Sequence, residues 1–201
     1  VHSPTSNAML GAGLAPILRL RAAGIPVAYG TDGSNCGPPA LLESMRTGCY
    51  LMRLTEPDFE QWPDARTILS EGYSAGARAV GRVGEIGVLR PGARADVTVL
   101  DPVDHWHQPI GDPYRHLLYY ENGASTEHVW VDGRQVVKDR RVTTIDETSL
   151  IAEAKEIVLR RRGDASVAAI ASVEAQYPAF RQMILDNFAE DIGIERRIPL
   201  S

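Results

Sequence analysis

The chain has 201 residues, of which 44% are hydrophobic, with a net charge of -5 and a pI near 5.5. This length can bury one large core or two small ones, and the acidic balance argues against nucleic acid as the main partner. No apolar stretch is long enough to span a membrane, and Cys36 and Cys49 fit neither a disulfide framework nor a Cys-x-x-Cys metal site, so a cytoplasmic location is expected.

The first third of the chain has the pattern of alternating helices and strands. Apolar residues at helical spacing follow Pro16 and stop at Gly24, which predicts a helix over residues 15–24. Residues 25–30 then read as a short buried strand, and further helices are predicted after Pro39 and after Pro63. A strand between helices indicates an α/β unit with parallel strands.

From about residue 84 the pattern changes to short strands, predicted at 85–89, 96–100, 128–131 and 135–138. The last two flank Asp132-Gly133, a pair that tolerates the positive φ of a type I′ turn, so a hairpin is predicted there. Helices are predicted again from Asp146, and from residue 179 to about 189 after Pro178.

Asp32 directly follows the predicted strand 25–30, in the run Gly30-Thr31-Asp32-Gly33. In α/β proteins, functional side chains lie at the carboxyl ends of parallel strands. A carboxylate there can ligate a divalent metal and accept a proton from a water that the metal binds. The alternative is that Asp-Gly marks a hairpin turn, but a loop and a predicted helix follow Gly33.

His2 precedes the first helix as a strand end should, so His2 and Asp32 are expected at the same edge of one parallel sheet. An imidazole in that place could donate a proton to a leaving group or polarise a carbonyl. A purely structural hydrogen-bonding role for His2 is the alternative.

His105-Trp106-His107 is another candidate metal motif, because alternate residues of a strand point the same way. No cysteine or histidine pair completes it, and His116 would complete it only through a fold that the sequence does not show. We therefore interpret it as a surface or packing feature. Asp96 follows a turn, where a carboxylate more often accepts hydrogen bonds from backbone amides.

Several motifs together resemble the amidohydrolase superfamily, in the branch that holds guanine and adenosine-type deaminases and s-triazine hydrolases. The matching segments are His2-Ser3-Pro4-Thr5-Ser6-Asn7 with Leu10-Gly11-Ala12-Gly13, and residues 24–33, 81–96 and 131–137. Their order and separation match as well, and the resemblance covers residues 1 to about 145.

The resemblance implies an α/β fold made of the C-terminal part of a (β/α)8 TIM barrel, a small β-sandwich domain and C-terminal helices. Residues 1–81 would form the last two β/α units of the barrel. Residues 82–145 would form the β-sandwich, and 146–201 the helical segment.

The resemblance also implies a metal-dependent hydrolase of a C–N bond other than a peptide bond, which deaminates an amino-substituted purine, pyrimidine or triazine. Asp32 would bind one divalent metal, zinc or iron, and transfer the proton. His2 and Asn7 would line the substrate pocket. A triazine hydrolase that releases chloride or an alkylamine, and a non-catalytic fragment that serves assembly, are the alternatives.

The other metal-binding histidines of that family have no counterpart in this sequence, and His105-Trp106-His107 stands on the wrong side of Asp32 to replace them. The chain begins at Val1 without a methionine or a signal peptide. We therefore expect a fragment that is active only with the N-terminal half of the same protein. The expected partners are a small heterocyclic substrate and further copies in a homo-oligomer, without nucleic acid or membrane.

Overall fold

The computed structural model describes residues 1–102, 109, 111–161 and 166–189. Residues 1–141 form one compact unit, and the described residues from Val142 onward belong to a second. None of the described helices combines the length and the apolar character needed to cross a bilayer. The predicted metal motif at residues 105–107 lies outside the described residues.

The first unit contains five α-helices and one 3₁₀ turn among its described residues. They are α1 Pro4–Met9, α2 Ile17–Ala22, α3 Leu41–Thr55, the 3₁₀ turn Phe59–Gln61, α4 Ala65–Ala79 and α5 Pro113–Tyr119. The helices predicted after residue 15, after Pro39 and after Pro63 are thus confirmed. Gly24 ends α2 with a φ of +71°, and its N–H donates to the carbonyl of Arg21 at 2.8 Å, as in a glycine C-terminal cap.

The core of this unit forms where α3 packs against α4 and α5. Its buried members are Ile17, Met45, Cys49, Met52, Ala65, Ile68, Leu69 and Leu118. The residues from α3 and α4 recur at helical spacing, which is why the sequence predicted these two helices.

Helix α5 was not predicted from the sequence. Asp112 caps it, accepting a hydrogen bond from the N–H of Tyr114 at 2.8 Å, and Pro113 suits the first turn. At its other end, Arg46 Nε of α3 donates to the carbonyl of Leu118 at 2.8 Å. Only seven residues form α5, and the sequence analysis did not use Asp112-Pro113 as a helix start.

Residues 25–30 pair with the start of the chain in parallel. A single bridge joins His2 and Tyr29, with hydrogen bonds from His2 N–H to the carbonyl of Ala28 at 2.7 Å and from Gly30 N–H to that of His2 at 2.9 Å. Ser44 of α3 also donates to the carbonyl of Gly30 at 2.6 Å. The parallel pairing is as predicted, but one bridge stands in place of the regular strand that we expected.

The remaining strands form an antiparallel sheet with the order β1-β2-β3-β4, and its last residue, Val142, is the first of the second unit. Its strands are β1 Val97–Leu100, β2 Thr126–Val131, β3 Arg134–Lys138 and β4 Arg141–Val142. The predicted hairpin between β2 and β3 is confirmed: Asp132 and Gly133 both have positive φ, at 52° and 79°. The observed architecture is therefore mixed α/β with a small antiparallel sheet.

The strand predicted at residues 85–89 was wrong. The chain turns there, and one bridge joins Val83 and Ile86. Gly84 and Gly87 have φ values of +79° and +72°, which an extended strand does not allow. The valine and isoleucine in this segment raised its apparent strand propensity, but the glycines decide its backbone.

The second unit contains α6 Glu147–Arg161 and α7 Ser166–Ala189. Helix α6 begins directly after Asp146, as predicted, and Asp146 Oδ2 accepts a hydrogen bond from the Ser149 hydroxyl at 2.7 Å. The predicted start of the last helix at residue 179 was wrong, since α7 runs through Pro178. A proline removes one helical N–H donor, which is why a helix start was predicted after Pro178. The residues before Pro178 are helical as well.

Candidate active site

Asp32 stands where the chain leaves the parallel-paired segment. Its φ of +59° is left-handed, a conformation that aspartate and asparagine tolerate better than most residues. The side chain is exposed, and Oδ2 accepts a hydrogen bond from the Ser6 hydroxyl at 2.7 Å. A hydrogen bond to a carboxylate is stronger than one between neutral groups, so Ser6 holds the orientation of Asp32.

The residues that the sequence singled out line one cavity of about 350 Å³. His2, Asn7 and Asp32 are on its wall, and apolar side chains such as Ile17 and Ile25 complete it. A few polar groups converging on a largely apolar cavity are typical of a small-molecule site. The structure therefore brings all three predicted site residues together.

His2 is 7% exposed, and its ring is tilted against that of Tyr29 with the centroids 5.9 Å apart. Burial is the main cause that lowers the pKa of His2 from 6.5 to about 4. The imidazole is therefore neutral at neutral pH, with one nitrogen as donor and the other as acceptor.

Gly48 of α3 makes room for the ring of Tyr29, which contacts His2 of the cavity wall. A Cβ at Gly48 would lie 2.8 Å from Tyr29 Cε1, whereas a Cβ at Gly72 of α4 would overlap Met45 and approach Tyr29 Cδ2 only to the ordinary contact distance of 3.4 Å. Burial also raises the pKa of Tyr29 to about 12, with the Cys49 thiol as a second cause. The phenol consequently stays neutral at neutral pH.

Ser6 is the residue of this site that sequence reasoning missed. It lies on α1 and is 2% exposed, while the next residue, Asn7, borders the cavity. Ser6 belongs to the same short motif as His2, which was the available signal. That Ser6 reaches a carboxylate 26 positions away cannot be read from the motif itself.

One cluster of potential metal ligands occurs elsewhere in the described part of the chain, at Glu127, His128 and Asp139. His128 Nδ1 already accepts a hydrogen bond from the N–H of Asp139 at 3.2 Å. Glu127 lies where the register between β1 and β2 shifts, since Val99 pairs with His128 and Leu100 with Thr126. These contacts explain the cluster as part of the sheet.

Asp96 and His116, which the sequence analysis also considered, both make hydrogen bonds to the backbone. Asp96 accepts one from the N–H of Asp132 at 2.7 Å, which agrees with its interpretation as an acceptor for backbone amides. His116 lies on α5, and its Nε2 accepts from the N–H of Gly111 at 3.2 Å.

Asp32 fits the role of one metal ligand. Carboxylate oxygens bind divalent metals, but a catalytic zinc site needs three protein ligands. Within the described ranges, no group of three potential ligands includes Asp32. These residues can therefore supply one ligand and part of a substrate pocket.

Comparison with known proteins places these features in a family. The sequence pattern of the amidohydrolase family matches residues 1–136. A 5-methylthioadenosine/S-adenosylhomocysteine deaminase from Desulforudis audaxviator is 37% identical over 161 residues, which cover 79% of this chain and 37% of the relative.

Two zinc-containing crystal structures are also similar. An adenosine deaminase from Xanthomonas campestris with bound zinc has a TM-score of 0.75 at 29% identity, over 80% of this chain and 37% of that protein. An atrazine chlorohydrolase from Arthrobacter aurescens complexed with zinc has a TM-score of 0.70 at 28% identity, over 79% and 35%. The chain thus spans little more than a third of the length of these proteins.

Proposed function

The chain belongs to the amidohydrolase family, whose pattern matches more than half of it, and we propose that its protein is a metal-dependent deaminase of an amino-substituted heterocycle. The C–N bond to the exocyclic amino group would be hydrolysed and ammonia released. We favour the adenine ring of a nucleoside as the substrate, because similar relatives are named as deaminases of 5-methylthioadenosine and S-adenosylhomocysteine.

The chemistry of the polar residues at and beside the cavity suggests a role for each of them. When bound, a zinc ion would supply a water of lowered pKa as the nucleophile. Asp32 would hold the metal, take up the proton released as water adds to the ring, and return it to the leaving amine. Ser6 would keep the Asp32 carboxylate in place through the hydrogen bond to Oδ2.

His2 and Asn7 would bind the heterocycle rather than exchange protons with it. Because burial lowers the pKa of His2 to about 4, its neutral ring can donate to a ring nitrogen or accept from an amino group. The amide of Asn7 offers one acceptor and two donors for the same purpose.

The rest of the site would come from outside this chain. Because the chain spans only 37% of its relative's length, we propose that the N-terminal half of the protein supplies the other metal ligands and closes a (β/α)8 barrel with residues 1–81. We propose zinc as the metal because both solved neighbours contain it. Iron is the alternative. A β-sandwich at residues 82–145 and a cytoplasmic location complete the proposal.

The meeting of His2, Asn7 and Asp32 at one cavity carries this proposal. Its test is ammonia release by the intact zinc-loaded protein from S-adenosylhomocysteine, 5-methylthioadenosine, adenosine, guanine and cytosine. We expect ammonia from the adenosine derivatives, and an Asp32→Asn variant serves as the blank. Absence of ammonia from every substrate, with zinc bound, would overturn a deaminase role.

The second candidate is a triazine hydrolase, which the TM-score of 0.70 with the atrazine chlorohydrolase favours. It uses the same cavity, but the bond that breaks is the one to chloride or to an alkylamine. Atrazine in the same assay separates the two functions, since chloride release without ammonia release from purines would replace the deaminase proposal.

A further inference from the structure

A stripe of apolar side chains on α7 is uncovered in the structure. Its members recur at alternating intervals of three and four residues: Ile170, Val173, Tyr177, Phe180 and Ile184. Each is between 48% and 67% exposed, and every side chain of α7 that the structure describes is exposed. A helix alone in water is marginal, and most helical stability comes from packing of an apolar face, so this stripe needs a partner.

The spacing of the stripe indicates that the partner is another helix. Apolar residues at the a and d positions of a heptad repeat form the seam of a coiled coil. The a positions are Ile170, Tyr177 and Ile184, and the d positions are Val173 and Phe180. Pro178 falls at an outer b position, so its ring lies away from the seam.

The charges beside the seam favour a second copy of α7 in antiparallel orientation. If Tyr177 of each copy packs against Phe180 of the other, the e positions of the two helices face each other. These e positions are Glu174 and Arg181. Glu174 of one copy then lies opposite Arg181 of the other, and the two-fold axis repeats the pair. A parallel pair would set each charge opposite an uncharged g position instead.

We propose that α7 is a dimerisation helix, which packs antiparallel against α7 of a second copy of this protein. A two-fold interface requires a patch that complements itself. The α7 stripe complements itself in packing, and the charges beside it complement each other. In this register, Val173 packs against Ile184 of the other copy and Tyr177 against Phe180, so the residues exposed in one chain become buried in the dimer.

Charge reversal in the intact protein tests this register. Glu174→Arg and Arg181→Glu each place like charges opposite each other twice per dimer, and either should raise the dimer dissociation constant about 10-fold at low salt. The double variant restores opposite charges and should associate like the parent. An equal mixture of the two single variants should form heterodimers in preference to homodimers, as measured by sedimentation velocity with one variant labelled.

Ala175→Arg is the matched control, because position 175 lies on the outer face of the heptad and should leave dimerisation unchanged. The proposal is overturned if the protein is monomeric, or if the single reversals leave the dissociation constant unaltered. It is also overturned if neither the double variant nor the mixture restores association. If another part of the same chain covered α7, Glu174 and Arg181 would face different partners there, because they are two turns apart. Neither the double variant nor the mixture would then restore association.

Discussion

Gly48→Ala should destabilise the protein although alanine is the better helix former. Alanine in a helix interior is favoured over glycine by about 1 kcal/mol. The new Cβ, however, would lie 2.8 Å from Tyr29 Cε1, 3.4 Å from Pro4 Cγ and 3.6 Å from His2 Cδ2, where carbon atoms normally stay about 3.5–4.0 Å apart. Overpacking of this kind costs about 1–3 kcal/mol. We therefore expect a net loss of up to about 2 kcal/mol and a displaced Tyr29 ring.

Gly76→Ala on α4 is the matched control, because nothing lies within 4 Å of its new Cβ. This variant should gain the helical preference alone and become more stable by about 0.5–1 kcal/mol. Urea unfolding of both variants and the parent gives the comparison, and the difference between the variants isolates the overpacking cost. Equal stabilisation by the two alanines would refute the account of Gly48 as the seat of Tyr29.

Three further substitutions or conditions test the surroundings of the cavity. Ser6→Ala should lower turnover about 10-fold, because a hydrogen bond to a carboxylate contributes about 1.5 kcal/mol; Ser6→Thr should keep most of the activity, and equal losses would deny Ser6 its orienting role. The pKa of His2 is about 4 in the folded chain and 6.5 in the unfolded one. The free energy of unfolding should therefore be constant with respect to His2 above pH 6.5 and decrease by up to about 3 kcal/mol as the pH falls to 4. A His2→Gln variant with the same pH dependence of its urea midpoint would contradict this. Ser44→Ala leaves the carbonyl of Gly30 without its buried donor and should cost about 1–2 kcal/mol in urea unfolding; an unchanged midpoint would mean that water replaces the hydroxyl.

Elements with a long apolar period or a specific turn were the ones that the sequence predicted. Helices α3 and α4 each bury one face over 15 residues, and the hairpin follows from the backbone freedom of Asp132-Gly133. The short α2 was predicted because Pro16 and Gly24 mark its ends, whereas α5 was missed because its start signal, Asp112-Pro113, was not used. Residues 85–89 were misassigned because two glycines with positive φ outweigh the strand propensity of their neighbours.

The proximity of His2 and Asp32 could be predicted from the sequence, because both were expected at the ends of parallel strands. His2 and Asp32 meet because their segments pair side by side, a rule of α/β topology that needs no atomic detail. The hydrogen bond from Ser6 and the close packing of Tyr29 on Gly48 depend instead on how α1 and α3 pack around that pair. Contacts of this kind are fixed by three-dimensional packing rather than by a sequence pattern.

Zinc content and ammonia release of Asp32→Asn, measured together on the intact protein, test the central claim most directly. Asparagine tolerates the φ of +59° at this position, so the variant removes the charge without forcing a backbone change. Asp139→Asn is the matched control, because it alters the other cluster of potential ligands. We predict that Asp32→Asn loses bound zinc and at least about 100-fold in turnover, while Asp139→Asn retains both. Full zinc and full turnover in Asp32→Asn would contradict the account.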